Sequence, residues 1–177
     1  MRSYKILVAG PFNAGKTTLI RTLCGEALTS DKRLGFSEAI KPTTTVALDF
    51  GLFRLGERIV RLFGTPGQER FFFMWRVLAI GMNGYVFMVD SQDPGSLKDA
   101  ARIYRFFRTS FPQAVHVISA NKSDGKYRMS EKVIRDALQP PPSAPIYPTV
   151  ALRRDSAMML LESLISLIEK GCTITLK

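Results

Sequence analysis

Gly10-Pro11-Phe12-Asn13-Ala14-Gly15-Lys16-Thr17 spells GxxxxGKT and directly follows the short apolar run Ile6-Leu7-Val8-Ala9. A loop of this composition between a buried strand and a helix is a phosphate cradle. Its glycines let the backbone curl until successive N–H groups face one anion. The helix that begins at Lys16 adds the positive end of its dipole to that field. The pattern predicts that Lys16 reaches the β- and γ-phosphates of a nucleoside triphosphate and that the Thr17 hydroxyl is a Mg²⁺ ligand. Asn13, Ala14, Gly15 and Thr18 belong to the same nucleotide-binding set. A chance glycine turn would match the spelling, but not the strand before it and the helix after it.

The base is read further along the chain. Val115-His116-Val117-Ile118-Ser119-Ala120 is a buried-strand pattern, and Asn121-Lys122-Ser123-Asp124, or NKxD, follows at once. The Asp124 carboxylate can accept two N–H bonds from the N1 and N2 edge of guanine. Adenine offers no such pair of donors, and a buried, unpaired carboxylate would reject it. Asn121 is expected to bond the N7 side of the ring and brace the loop, with the Lys122 stem lying across the base. Alone, NKSD is an ordinary polar turn; after a strand and downstream of a phosphate loop it specifies GTP or GDP over ATP.

The phosphate loop, the segment Lys41-Pro42-Thr43-Thr44-Thr45, the segment Thr65-Pro66-Gly67-Gln68-Glu69 and NKSD follow in an order that resembles a Ras-superfamily small GTPase. The resemblance covers nearly the whole chain. Trp75-Arg76 and Val89-Asp90-Ser91-Gln92-Asp93 are similar to the Arf/SRβ branch. Leu48-Asp49-Phe50-Gly51 and Phe63-Gly64-Thr65-Pro66-Gly67-Gln68-Glu69 look more like prokaryotic relatives of the gliding-motility (Mgl) polarity switch, the group favoured on sequence. The resemblance implies a P-loop GTPase domain of α/β class, a six-stranded, mostly parallel sheet with one antiparallel strand and helices on both faces. It also implies a GTP-binding molecular switch that hydrolyses GTP slowly and signals through two loops, with an activating or effector protein as partner.

The first of those loops spans about residues 26 to 45, polar and punctuated by Gly35. Asp49-Phe50 is similar to a pair that recurs in the family's second strand, and counting back from it the resemblance implies a switch threonine at Thr45, with Thr44 the alternative; it would ligate Mg²⁺ and sense the γ-phosphate. In the second loop the Gly67 N–H is placed for the γ-phosphate, and Gln68 can orient the attacking water. Lys16, Thr45 and Gln68 form the expected catalytic set, and Thr17 and Thr45 the expected metal ligands. Gly64 departs from the family pattern, which has a Mg²⁺-shell Asp there. Asp49 and Asp90 are the available substitutes, although the family's residue at Asp90 is usually structural. The departure predicts weak Mg²⁺ dependence and slow hydrolysis. Of the family's Ser-Ala-Lys turn, whose alanine N–H meets guanine O6, only Ala151 remains.

Composition bounds the rest. The 177 residues read as one domain, 1–177, and the formal charge is +10. Arginine dominates that charge: Arg54, Arg58 and Arg61; Arg102, Arg105 and Arg108 at spacing three; and Arg153-Arg154. A solvated surface is the default reading of these charges; no recognised nucleic-acid module accompanies them, and beside that default stand an acidic protein partner and peripheral contact with an anionic surface. Arg70 and Arg33 are candidates for a catalytic finger supplied in cis. No run of membrane-spanning length stands in the sequence; with Arg2 at the second position and Cys172–Lys177 unlike a prenylation box, the expectation is a chain without signal peptide, N-myristoyl group or prenyl anchor. Two cysteines, Cys24 and Cys172, fit a reducing cytoplasm. His116, without metal-type companions, reads as structural.

Periodicity places strands at 4–9, 45–55, 58–63, 84–90, 114–119 and about 146–150, and helices near 16–25, 69–80, 95–109, 130–138 and 155–169. Leu55-Gly56-Glu57-Arg58 is the hairpin turn of the one antiparallel pair, and Gln139–Pro145 is a stiff connector. Phe71-Phe72-Phe73-Met74-Trp75 with Val77, Leu78 and Ile80 is apolar nearly all round a helix. Either Phe72, Trp75 and Val77 fill core, or part of this surface meets a partner. Two rivals stand beside the switch: a nucleotide-locked, catalytically weak scaffold, which retention of Gln68 argues against, and a basic NTPase associated with nucleic acid.

Overall fold

The computed structural model describes residues 2–25 and 49–174. Its strands are β1 (Arg2–Ala9), β2 (Phe50–Leu55), β3 (Arg58–Gly64), β4 (Gly84–Asp90), β5 (Val115–Asn121) and β6 (Ile146–Pro148). They form one sheet in the order β2-β3-β1-β4-β5-β6. Only β2 runs antiparallel, paired with β3 through the tight turn at Gly56-Glu57; the other neighbours are parallel. The expected fold class therefore stands. Its order reverses at β1, so the loops after β1, β4 and β5 gather at one edge of the sheet, where open α/β sheets place their ligands.

The alternation within the central strands explains why the sheet needs cover on both sides. Tyr4, Ile6 and Val8 of β1, with Val86 and Met88 of β4, pack under α1 (Lys16–Cys24) and α5 (Arg154–Ile174). Leu7 and Ala9, with Tyr85, Phe87 and Val89, face the opposite layer of α2 (Phe72–Ala79), α3 (Leu97–Ser110) and α4 (Glu131–Leu138). Both faces are apolar because parallel strands between helix layers have no solvated side. Glu169 of α5 ties the beginnings of β1 and β3 together: it accepts two bonds from Arg58, both 2.9 Å, and one from the Tyr4 hydroxyl at 2.7 Å. Those partners hold its carboxyl well down, at about 2.

Several boundaries differ from the sequence expectation, each for a local reason. The helix expected over 69–80 begins as a turn of 3-10 helix at Glu69–Phe71 and becomes α-helical only at Phe72. α3 starts at Leu97, after a similar turn at Pro94–Ser96 where the Asp93 carboxylate accepts the Gly95 N–H. β6 ends at Pro148, which is tolerated because β6 is an edge strand. Of the strand expected over 45–55, residues 45–48 lie outside the described residues. The proline-rich connector behaves as expected: Gln139 closes α4 in a left-handed conformation, and the Pro145 carbonyl accepts the Ile118 N–H.

His116 is structural, as the sequence reading has it. It stacks on Tyr85 and bonds the Ala114 carbonyl at 3.0 Å and the Tyr104 hydroxyl at 2.7 Å. A carbonyl can only accept, so Nδ1 carries the proton and Nε2 accepts from Tyr104. Burial pushes the imidazole below its ordinary 6.5, so the folded protein prefers it neutral. The unfolded chain protonates first, and the stability this group supplies is present above 6.5 and lost as the pH falls. Between about pH 7 and pH 5, denaturant unfolding should lose up to ~1.4 kcal/mol per pH unit from this group. His116→Gln, which keeps a neutral polar side chain, should flatten that slope. An identical slope in the variant would remove His116 as its source.

Candidate functional site

The phosphate loop is held by three packed contacts. Gly15 adopts φ 98°, and a Cβ there would stand 2.2 Å from Asn121 Nδ2, so only glycine fits. Asn121 uses the space to donate to the Ala14 carbonyl at 2.9 Å while its Oδ1 accepts the Ala151 N–H at 2.8 Å. One side chain thus joins the phosphate loop, the end of β5 and the turn after β6. Asn121 braces the loop as expected, and the Ala151 N–H, expected on guanine O6, donates instead to Asn121 Oδ1. A hydrogen bond between the Ser119 and Thr149 hydroxyls and one from Ser123 N–H to the Thr149 carbonyl fix the two loops to each other.

Lys16 is buried within this frame and donates to the carbonyls of Gly10 at 2.9 Å and Pro11 at 2.6 Å. Burial pushes its ammonium down to about 8, partly offset by the Asp49 carboxylate. A cation that has surrendered its water shell to two neutral carbonyls is under-compensated, which is the condition for binding an anion tightly. Thr17 and Thr18 follow in the first turn of α1, half-buried, and the Thr17 hydroxyl donates to Asp49. Asn13 lies exposed at the loop crest with φ 63°, a conformation asparagine tolerates.

The second loop rests directly on the cradle. A Cβ at Gly67 would meet Phe12 N at 2.5 Å and Lys16 Nζ at 2.8 Å, so the close approach requires glycine. The Thr65 N–H donates to the Val8 carbonyl at 2.9 Å, continuing the β1–β3 pairing. Trp75 then anchors the segment: its Nε1–H donates to the Pro66 carbonyl at 2.8 Å, and its ring packs against Phe106 and Phe107. Gln68 follows Gly67 and is exposed, with Glu69 paired to Arg102 of α3 at 3.1 Å. Arg70, a candidate finger, lies over the Phe71 ring. Thr45, Thr44 and Arg33 lie outside the described residues.

The apolar helix divides its residues. Trp75 is 1% exposed, whereas Phe72, Phe73, Val77 and Ile80 are 53%, 51%, 60% and 72% exposed. Filling core therefore holds for Trp75 and not for Phe72 or Val77. Sequence reasoning did not single out the Trp75 indole as the tether of the second loop; the signal was an indole N–H, which needs an acceptor when buried.

At the base-reading end, Lys122 takes φ 61° and pairs with the buried Asp90, whose Oδ1 accepts the Gln92 N–H at 3.0 Å. Asp90 is thereby committed to structure. Asp124, expected as a buried carboxylate, is instead exposed, on the rim of a cleft that includes Ser123, Val150 and Arg153, because it stands in the turn beyond the end of β5. Arg153 is itself held by Asp155 through bonds of 3.2 and 2.6 Å, and the Asp124 carboxylate lies near enough to act on the same guanidinium.

Residues 1–142 match the profile of the ADP-ribosylation factor family, Arf. An uncharacterized protein of Methanocaldococcus jannaschii is 31% identical over 121 residues, covering 68% of this chain and 70% of that one. ADP-ribosylation factor-like protein 3 of Saccharomyces cerevisiae is 30% identical, covering 75% of this chain and 66% of its own length. The human ADP-ribosylation factor-related protein 1 is 28% identical over 76% of this chain and 66% of that protein. The chain thus spans just under two thirds of these two relatives. Among solved structures, the Arl6 BBS3 small GTPase of Trypanosoma brucei with bound nucleotide analogue GppNp superposes with a TM-score of 0.72 at 19% identity, over 95% of this chain and 98% of that one.

Proposed function

The chain belongs to the ADP-ribosylation factor family of small GTPases, and from that premise we propose that it is a guanine-nucleotide switch that hydrolyses GTP slowly to GDP and phosphate. The observation that carries this reading is Asn121, which ties an anion-binding loop around a desolvated lysine to the loop carrying Asp124. Triphosphate and guanine recognition are thereby built as one rigid unit. Lys16 meets the phosphate charge, Gly67 offers its N–H from a loop seated on the cradle, and Gln68 stands next to it in solvent to orient water. The Thr17 hydroxyl, in the first turn of α1, would hold a Mg²⁺ ion, whose charge would offset that of the phosphates.

Hydrolysis without an arginine supplied by a partner is slow in this chemistry, so an accelerating protein is part of the proposal. The exposed Phe72, Phe73, Val77 and Ile80 give a partner an apolar face on the helix tethered to the second loop. We assign the chain to the Mgl-like prokaryotic group within this fold on the strength of Leu48-Asp49-Phe50-Gly51 and the Thr-Pro-Gly-Gln segment. A cytoplasmic location is consistent with two cysteines and with the absence, among the described residues, of a helix long and apolar enough to cross a membrane.

The test is competition against fluorescent GDP followed by multiple-turnover phosphate release. GTP and GDP should displace the probe and ATP should not. Phosphate release should exceed one equivalent, and Gln68→Ala should slow it by about tenfold or more with nucleotide affinity unchanged, as expected of a group acting on water alone. A single turnover followed by permanently retained GDP would replace the switch with the nucleotide-locked scaffold.

A further inference from the structure

The β2–β3 register sets Phe50 opposite Phe63, so Asp49 faces Gly64, and the Gly64 N–H donates to the Asp49 carbonyl at 2.8 Å. Facing residues of an antiparallel pair project side chains into shared space. Gly64 contributes none, and Asp49 takes its place. A Cβ built on Gly64 would meet the Asp49 Cβ at 3.0 Å and its Oδ2 at 3.3 Å. The same Oδ2 accepts the Thr17 hydroxyl proton. That bond leaves lone pairs of Thr17 Oγ for a cation and sets a carboxylate beside it.

Phosphate-loop NTPases hold Mg²⁺ through the loop Ser or Thr and one Asp, both hard oxygen donors. Among the described residues no group of three or more His, Cys, Asp or Glu could hold a metal. An ion here must therefore draw on nucleotide oxygens, water and a few protein oxygens. Asp90, the other nearby substitute, is spent on Lys122 and Gln92.

We propose that Asp49, reaching across the β2–β3 ladder into the space Gly64 leaves open, supplies the Mg²⁺-site carboxylate and acts with Thr17 on the nucleotide-bound ion. The proposal rests on the guanine-nucleotide reading above. It reverses the expectation of weak Mg²⁺ dependence drawn from Gly64: the carboxylate has moved to the facing strand.

The experiment follows release of fluorescent GDP from the full chain, in Mg²⁺ and after chelation. In the unaltered protein chelation should speed release by about tenfold or more, the scale of a charge-assisted contact. Asp49→Asn, nearly the same shape without the charge, should release GDP in Mg²⁺ at close to the chelated rate, with the chelated rate itself unchanged. The double variant Asp49→Gly with Gly64→Asp, which returns the carboxylate to the other strand, should restore the response to Mg²⁺. GDP binding with an undiminished Mg²⁺ response in Asp49→Asn overturns this proposal alone. An equal change of rate with and without Mg²⁺ also overturns it, because that is the mark of a merely structural residue. Absence of GDP binding by the unaltered protein overturns the nucleotide reading and this proposal with it.

Discussion

Lys16→Met should weaken nucleotide binding by roughly two to nearly four powers of ten while leaving the empty protein at least as stable. The ammonium donates to two backbone carbonyls and is held down to about 8 by burial, so the unliganded fold bears a desolvated charge. A methionine of similar length relieves that cost and keeps the packing under the loop. The Gly10 and Pro11 carbonyls lose a partner, which tempers the gain. With anionic phosphates the balance inverts, because the buried charge would have been paired. Removing one member of a buried pair costs about 3–5 kcal/mol, or roughly two to nearly four powers of ten in affinity. Thermal unfolding with and without GDP separates the effects. The unliganded midpoint should hold or rise, and the ligand-induced shift should shrink. A GDP-induced shift of full size would mean that the loop N–H groups alone bind the phosphates.

What could be read from the chain beforehand follows from where its geometry is forced. Gly15 and Gly67 are spelled in the sequence because no side chain fits beside Asn121 or against Phe12 and Lys16. The two-sided core was legible because β1 and β4 alternate between layers that are both apolar. The surface of α2 was not, since every residue from Phe71 to Trp75 is apolar and hydropathy cannot rank them. The choice of Trp75 was made by a carbonyl at Pro66 and by the rings of Phe106 and Phe107, none of which is local in sequence. Asp49 is an intermediate case. The two-residue turn at Gly56-Glu57 sets Leu55 against Arg58, and counting back along both strands brings 49 against 64. The facing carboxylate was encoded in the hairpin length, though not in either strand's own spelling.

Asp124→Asn should move base preference from guanine toward xanthine. A carboxylate accepts from both N1–H and the N2 amino group; asparagine accepts at one atom and donates at the other. Xanthine carries a carbonyl where guanine has the amino group, so the substituted edge matches it. Each charged hydrogen bond contributes about 1.5–3 kcal/mol. Asp124 lies exposed at the rim, so its pair should fall toward the lower end, a loss of roughly 2–4 kcal/mol or 30- to 1,000-fold in GDP affinity. Nothing else in the loop need move. Asn121 and the turn around Thr149 hold the backbone, and Arg153 remains engaged with Asp155. The check is competition by GDP, XDP and ADP against a fluorescent GDP or XDP probe. Weaker GDP with stronger XDP identifies Asp124 as the base reader. Equal weakening of all three would show that the substitution damaged the loop, and unchanged GDP affinity would place the base elsewhere.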